Sequence, residues 1–184
     1  MKVKPGELDC PDPGPKEVRI RTKACGICAG DRYAFLGKKG VRYPFPGGHE
    51  PVGEVESAGP SVTRFQPGDI VTMVPYVPFP WSLNPSFSEY TVASEHMVAK
   101  VPKGAEPSFW IGEPVACVVN GVRYAGVQPY DNVVVVGLGF MGLMLIQGLS
   151  RTPLKTLVAV EFNDYRLGLA KEFGADLCLN PRDQ

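Results

Sequence analysis

An unbroken run of β-branched residues, followed at once by a glycine-rich turn, is the feature that most constrains the fold. Residues 132–136 read NVVVV and residues 137–149 read GLGFMGLMLIQGL. A β-branched run of this kind is typical of a parallel strand buried on both faces, and the apolar segment after the glycines is long enough for a helix. The pattern therefore predicts a strand, a tight turn and a helix, which is the first unit of a parallel α/β sheet.

The residues after this unit continue the same alternation. A second strand is predicted over 156–161, a second helix over 164–174 and a third strand over 175–180. Parallel strands joined through helices form right-handed crossovers. A doubly wound sheet commonly has about six strands in two halves, so only the first half is predicted here. We therefore expect this chain to be a fragment of a longer protein.

The residues before position 113 have a different hydrophobic pattern. Short segments alternate apolar and polar residues and are separated by proline and glycine, a pattern typical of a barrel-like β domain. Pro114 suits the first turn of a helix. The sequence thus predicts two domains, 1–113 and 114–184. The strands expected in the first lie at 17–24, 51–59, 69–77, 88–94 and 97–102.

Charge and composition exclude several classes of function. The chain has 184 residues, with 19 Lys and Arg against 19 Asp and Glu, so no basic footprint predicts a nucleic-acid partner. We see neither a signal peptide nor an apolar run long enough to cross a membrane. The five cysteines are odd in number and scattered, which does not indicate a disulfide framework. A reducing, cytoplasmic location is expected.

The glycine turn has the spacing of a dinucleotide-binding fingerprint. Gly137, Gly139 and Gly142 form G-x-G-x-x-G, and Glu161 follows the last glycine by 19 residues at the end of the next strand. In such turns the helix N-terminus binds pyrophosphate and the acidic residue binds the ribose hydroxyls. A carboxylate would repel a 2′-phosphate, so NAD is favoured over NADP. The alternatives are a βα turn without a ligand and a merely solvated Glu161. The candidate cofactor-binding residues are Gly137, Gly139, Phe140, Met141, Gly142 and Glu161.

Two cysteines in the segment KACGICAGDRY, Cys25 and Cys28, have the spacing of either a redox pair or a metal site. A redox pair requires a helix that starts directly after a strand. Residues 29–40 contain three glycines and are expected to form a loop, which argues against a redox pair. His49 follows Cys28 by 21 residues and is the obvious imidazole for a metal. His96 lies in a strand-like surface segment and is not a candidate.

Four motifs in order resemble the zinc-dependent medium-chain alcohol dehydrogenase family. They are GIC-x-x-D at residues 26–31, GHE at 48–50, PGD-x-V at 67–71, and the glycine turn after a buried strand. The resemblance covers nearly the whole chain. It implies a GroES-like β-barrel domain followed by a Rossmann domain, of which only the first half is present.

The resemblance also implies a ligand set for one catalytic Zn²⁺. In that family the GIC cysteine corresponds to Cys28, the paired histidine to His49, and the third ligand to Glu113, which begins the interdomain helix. Glu50 corresponds to a carboxylate that enters or leaves the metal's coordination shell. Cys117, one helical turn beyond Glu113, remains an alternative third ligand, and Cys25 an alternative cysteine ligand. The predicted metal ligands are Cys28, His49, Glu50 and Glu113.

Three further expectations concern the residues around the metal. By the resemblance, Asp31 accepts a hydrogen bond from the metal-bound histidine and fixes its tautomer. Many relatives have Ser or Thr where this chain has Gly30, so Tyr33 and Glu50 are candidates to carry the substrate proton. Residues 69–112 contain no cysteine, so the family's structural zinc is expected to be absent. The predicted catalytic residues are Glu50, Asp31 and Tyr33.

The loop that replaces the structural zinc lobe is rich in aromatic residues. We expect Phe79, Trp81 and Phe87 to line a substrate cleft, to pack against the domain or to contact another subunit.

These patterns support an enzyme: an NAD-dependent, zinc-assisted oxidoreductase that acts on a secondary alcohol of the polyol or sugar type. The alternative is a non-catalytic or truncated relative that keeps the fold, with or without the metal. The expected partner is a small-molecule alcohol, with neither nucleic acid nor membrane involved. By the family resemblance, the full-length protein is expected to be a homo-oligomer.

Overall fold

The chain divides into two compact units, Met1–Glu113 and Pro114–Gln184. The computed structural model describes residues 2–38, 40, 43–74 and 85–183. Among these residues, no helix has both the length and the apolar character needed to cross a membrane.

The first unit is built on one antiparallel sheet of five strands with the order β4-β1-β2-β3-β5. Register shifts within the β1–β2 pairing occur between Arg19 and Ile20 and between Thr22 and Ala24, and such bulges increase the local bend and twist of a strand. The predicted β domain of short strands is confirmed. Its strands are β1 (Glu17–Gly26), β2 (Glu50–Ala58), β3 (Ile70–Met73), β4 (Tyr90–Ser94) and β5 (Val98–Lys100), with helix α1 (Ala29–Phe35) between β1 and β2.

Alternation along the strands builds the core of this unit. Apolar side chains that point to one face are fully buried, as expected for a half-buried antiparallel sheet. This core positions the end of β1, where the cysteine motif begins, and the start of β2, where the histidine motif ends. Its members include Val18, Ile20, Val55, Val71, Met73 and Ala93.

The second unit contains a parallel sheet with the order β6-β7-β8. The predicted strand–helix alternation is confirmed. The elements are α2 (Glu113–Ala125), β6 (Asn132–Val136), α3 (Phe140–Leu149), β7 (Thr156–Val160), α4 (Asp164–Glu172) and β8 (Leu177–Leu179).

The expectation that β6 is buried on both faces is wrong for this structure. Val134 is 56% exposed and Val136 77% exposed, whereas Val135 is buried. Val135 shares one core with Ile146 of α3 and Ala170 of α4, so both helices cover the same face of the sheet. Val134 and Val136 point to the opposite face, because successive side chains of a strand alternate.

Candidate metal centre and glycine turn

Cys28 is held at the start of helix α1 by reciprocal hydrogen bonds. Its backbone N–H donates to Oδ2 of Asp31 at 2.9 Å, and its sulfur accepts from the N–H of Gly30 at 3.5 Å. The Cys28 side chain also accepts from the backbone of Asp31, which completes a capping box. In such a box a side chain at the helix start and one three residues later satisfy each other's backbone. Cys28 therefore has a defined position directly after β1.

The expected loop over residues 29–40 is wrong in its first part, because helix α1 covers Ala29–Phe35. Only Gly30 of the three glycines lies inside the helix. Gly37 has φ of 70° and follows the helix, where a left-handed residue is common. The capping box outweighs the weak helix propensity of Gly30, and spacing alone did not show it.

His49 is presented by a pair of left-handed glycines. Gly47 and Gly48 have φ of 63° and 79°, a conformation that glycine adopts at little cost. The N–H of Ser86 donates to the carbonyl of Gly47 at 3.1 Å, and the N–H of Gly48 donates to Oδ1 of Asp31 at 3.3 Å. The histidine segment is thus joined to helix α1 through the same carboxylate that caps Cys28.

Asp31 and His49 form a half-buried ion pair, with 3.6 Å between Oδ1 and Nδ1. The hydrogen bond to Asp31 raises the pKa of His49 against the opposing effect of burial. Burial raises the pKa of Asp31, but hydrogen bonds from His49 and from the Cys28 backbone outweigh it, so this pKa lies below its ordinary value. Asp31 can therefore orient the imidazole so that Nε2 faces away from it.

Cys28, His49 and Glu50 are brought together as one possible metal site. Their ligand atoms all lie within 4.8 Å of one another, and Nε2 of His49 is 3.9 Å from Oε1 of Glu50. Glu50 is only 9% exposed. Burial raises its pKa, and the negative charge of Glu113 raises it further.

Glu113, the first residue of α2, does not belong to that set of three among the described residues. Its charge nevertheless raises the pKa values of both His49 and Glu50, so it lies within electrostatic range of them. Glu113 belongs to the same compact unit as His49, whereas Cys117 belongs to the other unit and is exposed.

The other residues of the first unit that were predicted for the site lie outside the set of Cys28, His49 and Glu50. Cys25 belongs to β1, and burial raises the pKa of its thiol to about 11, so it is protonated and unreactive at neutral pH. Tyr33 lies on α1 and is 49% exposed.

A β-carbon on Gly47 would lie 3.2 Å from the ring of Phe87, so Phe87 packs on the glycine pair. Phe79 and Trp81 lie outside the described residues.

The glycine turn has the geometry that its spacing predicts. Gly137 has φ of 87°, and its N–H donates to the carbonyl of Val160 at 2.8 Å. A β-carbon on Gly142 would overlap the carbonyl oxygen of Gly137, whereas one on Gly139 would meet nothing within 4 Å. Gly142 thus allows the helix to pack on the turn, and the space beside Gly139 is open. Phe140 and Met141 form the first turn of α3 and are exposed.

Glu161, directly after β7, binds the backbone of this turn. Its Oε2 accepts from the N–H of Leu138 at 2.8 Å, and its Oε1 accepts from Phe162 and Asn163 at 2.8 and 3.2 Å. Arg166 lies 3.6 Å from Oε2. The hydrogen bond from Leu138 is the main cause that lowers the pKa of Glu161. The acidic residue is therefore ionised at the edge of the glycine turn.

Comparison with known proteins agrees with this geometry. Residues 14–103 match the alcohol dehydrogenase GroES-like domain. The chain is 30% identical to an alcohol dehydrogenase of Geobacillus stearothermophilus over 96% of its length, and 29% identical to an L-threonine 3-dehydrogenase of Pyrococcus horikoshii over its whole length. A crystal structure from Sinorhizobium meliloti 1021, described as a zinc-binding dehydrogenase bound to NADP, matches 96% of the chain with a TM-score of 0.83 and 26% identity.

Fold and site together resemble the corresponding part of alcohol dehydrogenases. Residues 14–103 belong to the alcohol dehydrogenase GroES-like domain family, and the chain is similar to zinc-dependent medium-chain alcohol dehydrogenases, as its motifs predicted. It spans 59% and 62% of the length of the two relatives and 58% of the crystallised protein.

Proposed function

We propose that this chain carries the metal centre and part of the cofactor site of a zinc-assisted, NAD-dependent oxidoreductase that acts on a secondary alcohol. The observation that carries the proposal is the convergence of Cys28, His49 and Glu50. The cysteine lies 21 and 22 residues before the other two in the chain, so folding, not sequence proximity, assembles the set.

The donor set fits a single Zn²⁺. Thiolate, imidazole and carboxylate are ligands that this metal accepts, and three protein ligands leave one tetrahedral position for a substrate oxygen. The mutual repulsion of Glu50 and Glu113, visible in the raised pKa of Glu50, would be relieved by a divalent cation. We propose Cys28, His49 and Glu113 as ligands, with Glu50 as the carboxylate that exchanges into the coordination shell.

When bound, the zinc would supply Lewis acidity that lowers the pKa of an alcohol. Asp31 keeps the proton on Nδ1 of His49 and so leaves Nε2 available as a ligand. Glu50, beside Nε2, is positioned to accept a proton in the site, and we propose that it takes the part of the hydroxyl absent at Gly30. Tyr33 is the second candidate for this step.

NAD is the proposed hydride acceptor, and it would bind at the turn of Gly137, Gly139 and Gly142. The ionised carboxylate of Glu161 would face the ribose of its adenosine portion, and the first-turn residues Phe140 and Met141 would lie at its pyrophosphate. An ionised carboxylate disfavours a second negative charge nearby, which supports NAD over NADP. The relative crystallised with NADP shows that this preference must be measured for the present chain.

We propose a polyol or sugar-like alcohol as substrate, because Glu113 and Pro114 resemble the Glu-Pro element of the polyol, threonine and some of the sugar dehydrogenases. A cytoplasmic location and a homo-oligomer in the full-length protein complete the proposal. The five free cysteines are consistent with a reducing compartment.

Metal analysis of the purified chain tests the proposal first. We expect one zinc per chain in the wild type and loss of zinc in Cys28→Ala and His49→Ala. Cys10→Ala, at an exposed cysteine, is the matched control and should keep the metal. A wild type that binds no zinc would overturn the proposed metal centre.

NADH formation with a panel of polyols and secondary alcohols tests the enzymatic part. Activity in the wild type that is lost in Cys28→Ala supports the zinc-assisted mechanism, whereas equal rates in both contradict it. A protein that binds one zinc yet forms no NADH with any substrate would instead favour the alternative, a relative that keeps the fold and metal without hydride transfer.

A further inference from the structure

We propose that Thr72 is a positioning residue for the metal centre, because its buried hydroxyl joins the segment that carries Glu50 to the segment that carries Glu113. This inference rests on the proposed metal centre and adds a residue that does not touch the metal. Threonine in a β-strand is common, and the sequence offered no signal for this role.

Thr72 lies in the middle of β3 on the face opposite the core. Val71 and Met73, its chain neighbours, belong to the core of the first unit, so Thr72 points to the other side of the sheet. It is opposite Val52 of β2 and is only 9% exposed. A polar side chain buried there requires hydrogen-bond partners.

The hydroxyl has both a donor and an acceptor partner. It donates to the carbonyl of Pro51 at 3.1 Å and accepts from the N–H of Gly112 at 2.8 Å. Pro51 follows Glu50, and Gly112 precedes Glu113. One oxygen atom therefore connects the backbones next to both acidic residues of the metal centre.

Other threonines of the same sheet that have a buried hydroxyl differ from Thr72. The hydroxyl oxygens of Thr22 and Thr91 have no hydrogen-bond partner among the described residues. The paired hydroxyl of Thr72 is thus not a general consequence of burial in this sheet. It marks the point where the segment leading into α2 meets β3.

Close packing reinforces the connection. A β-carbon on Gly112 would lie 2.6 Å from Cγ2 of Thr72 and 3.0 Å from its Oγ1. Any side chain at position 112 would push the segment away from the sheet, since β-carbons do not approach other atoms so closely. Gly112 therefore permits the short hydrogen bond, and Thr72 accepts it.

We expect the Thr72 hydroxyl to fix the distance between the carboxylates of Glu50 and Glu113. Pro51 is fixed in β2, so the Thr72 bridge sets how far Glu113 lies from Glu50 and His49. Metal sites tolerate only small deviations in ligand position, so a supporting contact of this kind affects affinity without touching the ion.

The test compares Thr72→Val, which keeps the shape and removes the hydroxyl, with Thr72→Ser, which keeps the hydroxyl. Thr91→Val is the matched control at an unpaired buried threonine. We expect Thr72→Val to weaken zinc binding by about 10-fold or more in chelator competition and to shift the visible absorption of the Co²⁺-substituted protein. Thr72→Ser and Thr91→Val should keep wild-type affinity and spectrum.

The outcomes separate this inference from the proposed function. A wild type without metal overturns the metal centre itself, whereas a metal-binding wild type with unchanged affinity and spectrum in Thr72→Val overturns only the role of Thr72. Should Thr72→Val not fold, Gly112→Ala decides: it keeps the hydroxyl but displaces the segment. Zinc binding about 10-fold weaker in Gly112→Ala supports the inference, and unchanged binding overturns it.

Discussion

Gly26 and Glu50 face each other across the β1–β2 pairing, and the carboxylate of Glu50 occupies the space that a side chain at position 26 would need. The two residues are register partners, and a β-carbon on Gly26 would overlap Oε2 of Glu50. The glycine of the GIC motif thus gives the Glu50 side chain the room to lie beside Cys28.

Replacement of Gly26 by alanine should displace Glu50 from the metal centre. We expect zinc affinity to fall by about 10-fold in chelator competition, as for other supporting residues of metal sites. Gly6→Ala is the control, because a β-carbon there meets nothing within 4 Å. Unchanged zinc affinity in Gly26→Ala would show that the position of Glu50 does not matter for binding.

Asp31→Asn should reduce the stability of the metal-free protein in a pH-dependent way. The raised pKa of His49 contributes stability that is complete below about pH 6.5 and is lost as pH rises through the folded pKa. The lowered pKa of Asp31 contributes stability that is present above about pH 3.8 and is lost as pH falls through its folded pKa. The ion pair of Asp31 and His49 therefore contributes most to the stability of the folded protein between about pH 3.8 and about pH 6.5.

Urea denaturation in the presence of a chelator measures this effect. The difference in free energy of unfolding between wild type and Asp31→Asn should be on the order of 1 kcal/mol at pH 5.5 and smaller at pH 8.5. Asp9→Asn, at an exposed position, should show no such difference. A loss that is equal at both pH values would contradict the ion pair as its cause.

Gly142→Ala and Gly139→Ala should separate the structural and binding roles of the glycine turn. The β-carbon at 142 would overlap the carbonyl of Gly137, so we expect destabilisation of about 1–3 kcal/mol. The β-carbon at 139 meets open space, so stability should change by less than about 1 kcal/mol. Denaturant titration measures both.

Gly139→Ala should weaken dinucleotide binding more than it lowers the stability of the protein. A methyl group there occupies the space that a pyrophosphate needs for close approach to the backbone. Titration of NADH fluorescence should show weaker binding in a variant that is still folded. Wild-type affinity in Gly139→Ala would argue against a dinucleotide at this turn.

Glu161→Gln should weaken NADH binding and narrow the preference for NADH over NADPH. The amide removes the negative charge that disfavours a 2′-phosphate. Its NH₂ group cannot accept the hydrogen bond that the backbone N–H of Leu138 or Phe162 donates to the carboxylate. Fluorescence titration with both dinucleotides measures the ratio of affinities, and Glu172→Gln, at an exposed residue of α4, is the control. A ratio unchanged from wild type would contradict the proposed basis for NAD.

Much of the fold was predictable because it depends on local patterns. Period-two alternation indicated β1 and β4, and the β-branched run indicated β6. The glycine spacing indicated the tight turn between β6 and α3, where Gly142 has no room for a side chain.

The errors arose where a local pattern competes with contacts that spacing does not show. Gly30 suggested a loop, but the capping contact between Cys28 and Asp31 starts a helix. The run Asn132–Val136 suggested a strand buried on both faces, but burial depends on which faces the helices cover, and α3 and α4 share one core.

The sequence by itself determined the strands, the helices of the second unit and the glycine turn, because hydrophobic period and backbone preference act over a few neighbouring residues. The family resemblance named Cys28, His49 and Glu50 as ligands, but only the tertiary structure showed that their ligand atoms lie within 4.8 Å of one another. Only the tertiary structure decided that Thr72 connects the segments of Glu50 and Glu113. Those relationships depend on strand register and on the approach of distant segments within a few ångströms, and no local pattern encodes such distances.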